Sequence, residues 1–119
     1  MDSGMFYPLQ KGAVAALNSN PGWFRELNAV YRKRRELIIR LASSMGCICD
    51  PGAAGIFVWA KLPDGTTSAE KFADTLLHEA HIFITPGTVF GSNGEGYVRF
   101  SLCVSEEDIK EAISRIQVK

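Results

Sequence analysis

Apolar residues recur along this chain with two different periods, and the switch between them lays out the expected elements. Leu9, Ala13, Ala16 and Leu17 repeat at helical spacing after Pro8, whose fixed φ suits a first turn, so a helix is predicted from Pro8 to about Asn18. Asn18-Ser19-Asn20 reads as a turn, with Asn20 as N-cap and Pro21 at the first position of a second helix. Trp23, Phe24, Leu27, Val30, Tyr31, Leu37, Ile38, Leu41 and Met45 recur mostly every three or four residues. They predict one long helix over 21–45, with Gly46 as its stop. About 25 residues at ~1.5 Å each span roughly 37 Å, more than one small domain needs and the reach of a helix that bridges two.

Beyond residue 46 the period falls to two. Cys47-Ile48-Cys49 reads as a short strand and Asp50-Pro51-Gly52 as a turn. The next strand, over 55–62, places Ile56, Val58 and Ala60 on one face and Phe57, Trp59 and Lys61 on the other. Pro63-Asp64-Gly65 ends it. Thr67-Ser68-Ala69-Glu70 has the spacing of a capping box, ahead of a helix that buries Phe72, Leu76 and Ala80. Ile82-Phe83-Ile84 predicts a third strand, and after a glycine-rich loop Val98, Phe100 and Leu102 alternate with Tyr97, Arg99 and Ser101 in a fourth. Ser105 opens a last helix with the stripe Ile109, Ala112, Ile113 and Ile116. The expected fold class is α+β, a small sheet with helices packed on one face, preceded by a long connecting helix.

Composition narrows the function classes. The 119 residues suffice for one domain, or one domain with an appendage. Thirteen basic and thirteen acidic side chains cancel, so the strong positive field that a nucleic-acid or membrane-surface partner requires is missing. The run Arg32-Lys33-Arg34-Arg35, with Glu26 and Glu36 close by, reads as a solvated helix surface. Three cysteines make an odd count and no secretory or transit segment opens the sequence, which fits reduced thiols in a cytoplasmic protein. Cys47 and Cys49 lack the spacing and second pair of a zinc site, and His78 and His81 lack a third ligand, so no metal is expected. The glycines over 91–96 come in the wrong order for a dinucleotide fingerprint and lead into a strand.

Candidate chemistry concentrates in the loop and strand over 86–101. Alternation sends Arg99 away from the core, and a strand holds its forked donors in a geometry that grips a carboxylate by two hydrogen bonds. By spacing alone a solvated arginine is the commoner outcome. Gly87, Phe90, Gly91, Gly94, Gly96 and Arg99, however, stand in register with a longer pattern. This run resembles the C-terminal signature of class I/II (fold type I) pyridoxal-phosphate-dependent aminotransferases. Gly55-Ile56-Phe57-Val58-Trp59 looks like the family's G-x-F-x-W strand, and the segment from Asp2 to Gln10 looks like one that follows the cofactor-lysine region. The resemblance covers nearly the whole chain.

The resemblance implies that Arg99 binds the substrate's α-carboxylate, that Gly87, Phe90 and Gly91 belong to the active-site loop, and that Ser3 and Gly4 approach the neighbouring subunit's site. It implies pyridoxal 5'-phosphate in the parent enzyme, an amino acid and a 2-oxo acid as substrates, a missing large domain and a homodimer. The same resemblance divides the chain into a flanking helix over 1–20, a connecting helix over 21–46 and an α+β small domain over 47–119. No lysine here has the context of the family's Schiff-base lysine, so this chain is expected to hold no catalytic residue and to be inactive alone. Another fold type I activity, such as a β-lyase or an acyltransferase, shares this architecture. A stand-alone, non-catalytic carboxylate-binding module is the alternative from a different class.

Overall fold

The computed structural model describes residues 4–117. Contacts divide the chain inside its long helix, into a unit of Met1–Val30 and a unit of Tyr31–Lys119. The first unit holds α1 (Tyr7–Leu17) and the opening turns of α2 (Pro21–Ser44). Pro8 lies in the first turn of α1, where its missing N–H costs nothing. Asn20 caps α2, its Oδ1 accepting the Gly22 N–H at 2.8 Å. Here the expected apolar stripe stays open: α1 buries no residue, and Trp23 and Phe24, edge to face at 5.0 Å, are both exposed.

The second unit is built on a four-stranded antiparallel sheet in the order β1-β2-β4-β3, from β1 (Ile48–Cys49), β2 (Phe57–Lys61), β3 (Thr85–Pro86) and β4 (Tyr97–Ser101). Helices α3 (Ala69–Ala80) and α4 (Glu106–Gln117) and the second half of α2 supply Ile38, Leu41, Ala73, Leu76, Ile109 and Ile113 to one core with Val58, Ala60, Val98 and Phe100. The α+β class and the one-faced packing of helices are as the periodicity predicts. The period-2 assignment of both central strands also holds: Val58, Ala60, Val98 and Phe100 are buried, and Phe57, Trp59, Tyr97 and Arg99 are not.

Gly46, at φ +77°, ends α2 in the left-handed turn a glycine makes without strain. Its N–H donates to the Ser43 carbonyl at 3.0 Å and the Cys47 N–H donates to Ala42 at 2.9 Å, which satisfies two of the last free carbonyls. Burial of Cys47, with Cys49 beside it, pushes its thiol up to about 11 from 9.0. Folding thus favours the protonated thiol, so this contribution is complete below about pH 9 and is lost as pH rises towards 11. Urea midpoints compared at pH 8 and pH 10.5 are expected to fall more for the parent than for Cys47→Ala. Equal slopes would show that the thiol is not held protonated.

Three expectations need correction. The third strand does not lie over 82–84 but at Thr85–Pro86, paired with Arg99 and Val98. Ile82 and Ile84 are buried and Phe83 is exposed, so the alternation is real. Alternation needs only extended backbone; a ladder also needs an adjacent strand, and this edge pairs just where Pro86 requires no N–H. At α3 the cap is Ser68, whose hydroxyl accepts the Lys71 N–H at 3.3 Å, one residue later than the Thr67 box predicts. The carboxylate that completes this cap comes from Glu95, whose Oε1 accepts the Ala69 N–H at 2.7 Å.

The basic run is the third correction, because it is not simply a solvated face. Lys33 pairs with Glu106 at 2.9 Å, which holds that carboxyl below its usual range. Arg34 donates to the Leu102 carbonyl at 3.0 Å, and Arg35 donates to the carbonyl of Gly55. Gly55 precedes β2 and Leu102 follows β4, so the two guanidiniums tie α2 to adjacent ends of the central strands.

Candidate carboxylate-binding site

β4 is the inner partner of both β2 and β3, and Arg99 faces Trp59 on one side and Thr85 on the other. Pairing on both flanks fixes its Cα, and the strand's alternation turns its side chain to the sheet face that the helices leave uncovered. That face is aromatic. The Arg99 guanidinium carbon lies 4.1 Å from the ring centroid of Phe57 and 4.3 Å from that of Phe90. Trp59 meets Phe90 edge to face at 6.0 Å and stacks on Tyr97 at 5.5 Å with 17° between the planes. Among the described residues no carboxylate pairs with Arg99 and no hydrogen-bond acceptor takes its N–H groups. The outcome is a fixed positive charge with open, forked donors, suited to a ligand that brings its own carboxylate.

Phe90 reaches this face from two short 3₁₀ turns, Gly87–Phe90 and Ser92–Gly94, which fold the loop back on itself. The fold-back demands glycine at both ends of the contact. A Cβ on Gly87 would collide with the Gly94 carbonyl and lie 2.8 Å from the Tyr97 carbonyl, while one on Gly94 would collide with the backbone of Gly87. Gly91 joins the two turns at φ +121°, a conformation closed to side-chain-bearing residues without strain. The loop is also tied to α3. Glu95 holds the Ala69 N–H, and the Thr88 hydroxyl donates to Glu70 at 3.3 Å.

Of the residues the sequence singles out, the structure gathers Arg99, Gly87, Phe90 and Gly91 into one region of the second unit. Gly4 lies in the first unit, exposed and at φ +87°, and Ser3 falls outside the described residues. His81 takes the left-handed turn that ends α3, and its carbonyl accepts from Arg115 at 3.0 Å. Among the described residues no group of three metal-ligating side chains is present. Sequence reasoning placed Phe57 in no site, and it put Glu95 in the loop without its partner. Phe57 carried a usable signal, since alternation already put it on the face of Trp59 and opposite to Val58. Glu95 carried none, because its partner Ala69 is 26 positions away.

An antiparallel sheet covered by helices on one face, with the ring-flanked guanidinium of Arg99 on the other, defines an α+β domain. Residues 5–116 match the family described as aminotransferase class I and II, and the chain belongs to that family. It is 41% identical over 116 residues to an LL-diaminopimelate aminotransferase of Oleidesulfovibrio alaskensis, covering 98% of this chain and 30% of that protein. A second LL-diaminopimelate aminotransferase, from Moorella thermoacetica, is 39% identical over 117 residues with the same coverage. Among solved structures, substrate-bound BacF from Bacillus subtilis superposes with a TM-score of 0.77 at 36% identity, over 97% of this chain and 30% of that one. An aminotransferase from Staphylococcus aureus gives 0.78 at 32%, over 98% and 31%. The chain thus spans about 30% of the length of the relatives it matches.

The family implies pyridoxal phosphate, a cofactor that needs a lysine amine, an acid for its ring nitrogen and donors for its phosphate. The open face supplies a guanidinium and aromatic rings. Lys61 also stands on that side of β2, but its ammonium pairs with Asp64 at 3.6 Å, while Lys33 and Lys110 both point to Glu106. This set fits a substrate carboxylate and does not by itself form the cofactor's site.

Proposed function

We propose that this chain is the C-terminal small domain, with its connecting helix, of a pyridoxal-phosphate-dependent aminotransferase. The parent enzyme moves an amino group between an amino acid and a 2-oxo acid in the cytoplasm, as a homodimer. Residues 47–119 form the lid domain, the helix over 21–46 joins it to the large domain, and residues 1–20 flank that large domain, with Ser3 and Gly4 reaching towards the neighbouring subunit's site. The observation that carries the reading is Arg99: its donors are unclaimed among the described residues, on a rigid inner strand beside a ring-lined loop.

Arg99 takes the α-carboxylate through two parallel N–H···O bonds, which orients the substrate's Cα. The loop that carries Gly87, Phe90 and Gly91 forms the wall over it and excludes water from the ion pair. The cofactor supplies the electron sink and is held by the large domain and its lysine, so the 119 residues alone are inactive. The test is amino-group transfer by the full-length protein supplied with pyridoxal phosphate. The donor panel starts with LL-diaminopimelate, which the matched relatives' names suggest. Transfer to a 2-oxo acid by the long form, and none by this chain alone, is expected. A full-length protein that binds the cofactor but accepts no amino donor would overturn the reading.

A further inference from the structure

Two rings hold the Arg99 cation where an acidic side chain would be the ordinary partner, and this choice has a functional consequence. A carboxylate neighbour would fix the guanidinium but occupy its fork and compete with any ligand carboxylate. Phe57 and Phe90, at 4.1 and 4.3 Å, attract the cation through the negative potential of their ring faces and accept none of its N–H bonds. They come from different elements. Phe57 sits on β2, two residues along from Trp59, the residue that pairs with Arg99, and Phe90 sits on the glycine loop. Phe90 is braced in turn by Trp59, which stacks on Tyr97.

We propose that Phe57 and Phe90 are positioning residues that set the orientation and keep the donors of Arg99 free, making the guanidinium a preorganised carboxylate receptor. The proposal rests on the reading of Arg99 as the carboxylate anchor and adds to it the groups through which the anchor is aimed. Because Phe90 rides on the loop, the same ring couples the loop's position to the cation's. In this role both rings act through Arg99.

The experiment uses the full-length protein and its amino-acid donor. Phe57→Leu and Phe90→Leu are each expected to raise KM about 3- to 30-fold and to leave kcat within about threefold. Phe57→Tyr and Phe90→Tyr keep a ring face and should stay within about twofold of the parent. In an Arg99→Gln background the leucine substitutions are expected to add nothing, since the rings then have no cation to aim. Independently of activity, ring currents should move the Arg99 Hε proton upfield, and each leucine variant should return it towards the value of a free arginine. Unchanged KM and Hε shift in the leucine variants, a loss in kcat instead of KM, or a full additional loss in the Arg99→Gln background would overturn the proposal. If Arg99→Gln itself leaves KM unchanged, the carboxylate reading fails. That result is distinct from failure of the clamp, because the Hε shift still reports whether the rings hold the cation.

Discussion

Replacing Arg99 by glutamine in the full-length protein lowers kcat/KM for the amino-acid donor by about 100- to 1000-fold, most of it through KM. The size follows from the geometry. Two charge-assisted hydrogen bonds at roughly 1.5–3 kcal/mol each bracket a loss of about 3–6 kcal/mol, and residual solvation of a half-buried site returns part of it. Lysine at the same position restores the charge but not the fork, and it fits the ring-lined space as a hydrated point charge. Arg99→Lys is therefore expected to recover about tenfold or less. Steady-state kinetics on both variants, beside far-UV circular dichroism to establish folding, make the measurement. The fold itself should survive, because Arg99 lies on the uncovered side of the sheet and the core residues of β4 are Val98 and Phe100. A glutamine variant with parental KM would remove Arg99 from the site.

Alanine at position 94 is the most damaging single-methyl change the loop offers. Its Cβ would overlap the carbonyl of Gly87, and both groups are backbone, so no rotamer change relieves the clash. Both glycines are buried, and either the two short turns separate or the ends of β3 and β4 shift. A destabilisation of about 3 kcal/mol or more is expected, in the range that marks a mechanism beyond ordinary surface substitution. Gly87→Ala should behave alike. Gly91→Ala offers the contrast: nothing lies within 4 Å of its added Cβ, and only the strain of φ +121° remains, about 1–3 kcal/mol. Urea midpoints for the three variants should fall in that order. Separation of the turns also moves Phe90, so Gly94→Ala should raise KM in whatever fraction stays folded. If Gly94→Ala matches Gly91→Ala in stability, the fold-back is not a constraint.

Much of this architecture was legible without coordinates, for a local reason. Helix and strand periods depend on which face of an element meets the core, and that is written within a dozen residues. The alternation from Phe57 to Lys61 and from Tyr97 to Ser101 therefore sufficed to place Arg99 on the open face, and Gly46 sufficed to end α2. The glycine pattern likewise marked the loop before its turns were seen. Where the local signal misled, a neighbour had the deciding vote. Residues 82–84 alternate as a strand does, yet the ladder with β4 forms only at Thr85 and Pro86.

What tertiary structure alone decided are the long-range partners of polar and charged groups. A basic run looks the same in sequence whether water or a carbonyl 68 positions away satisfies it, and Arg34 turns out to hold Leu102. The cap of α3 is completed by Glu95, and the cation of Arg99 is flanked by ring faces from two separate segments. Hydrophobic burial is set by amount and pattern, which a sequence carries position by position. Hydrogen bonds and cation–ring contacts are set by direction and distance within a few ångströms, which exist only once the chain has closed.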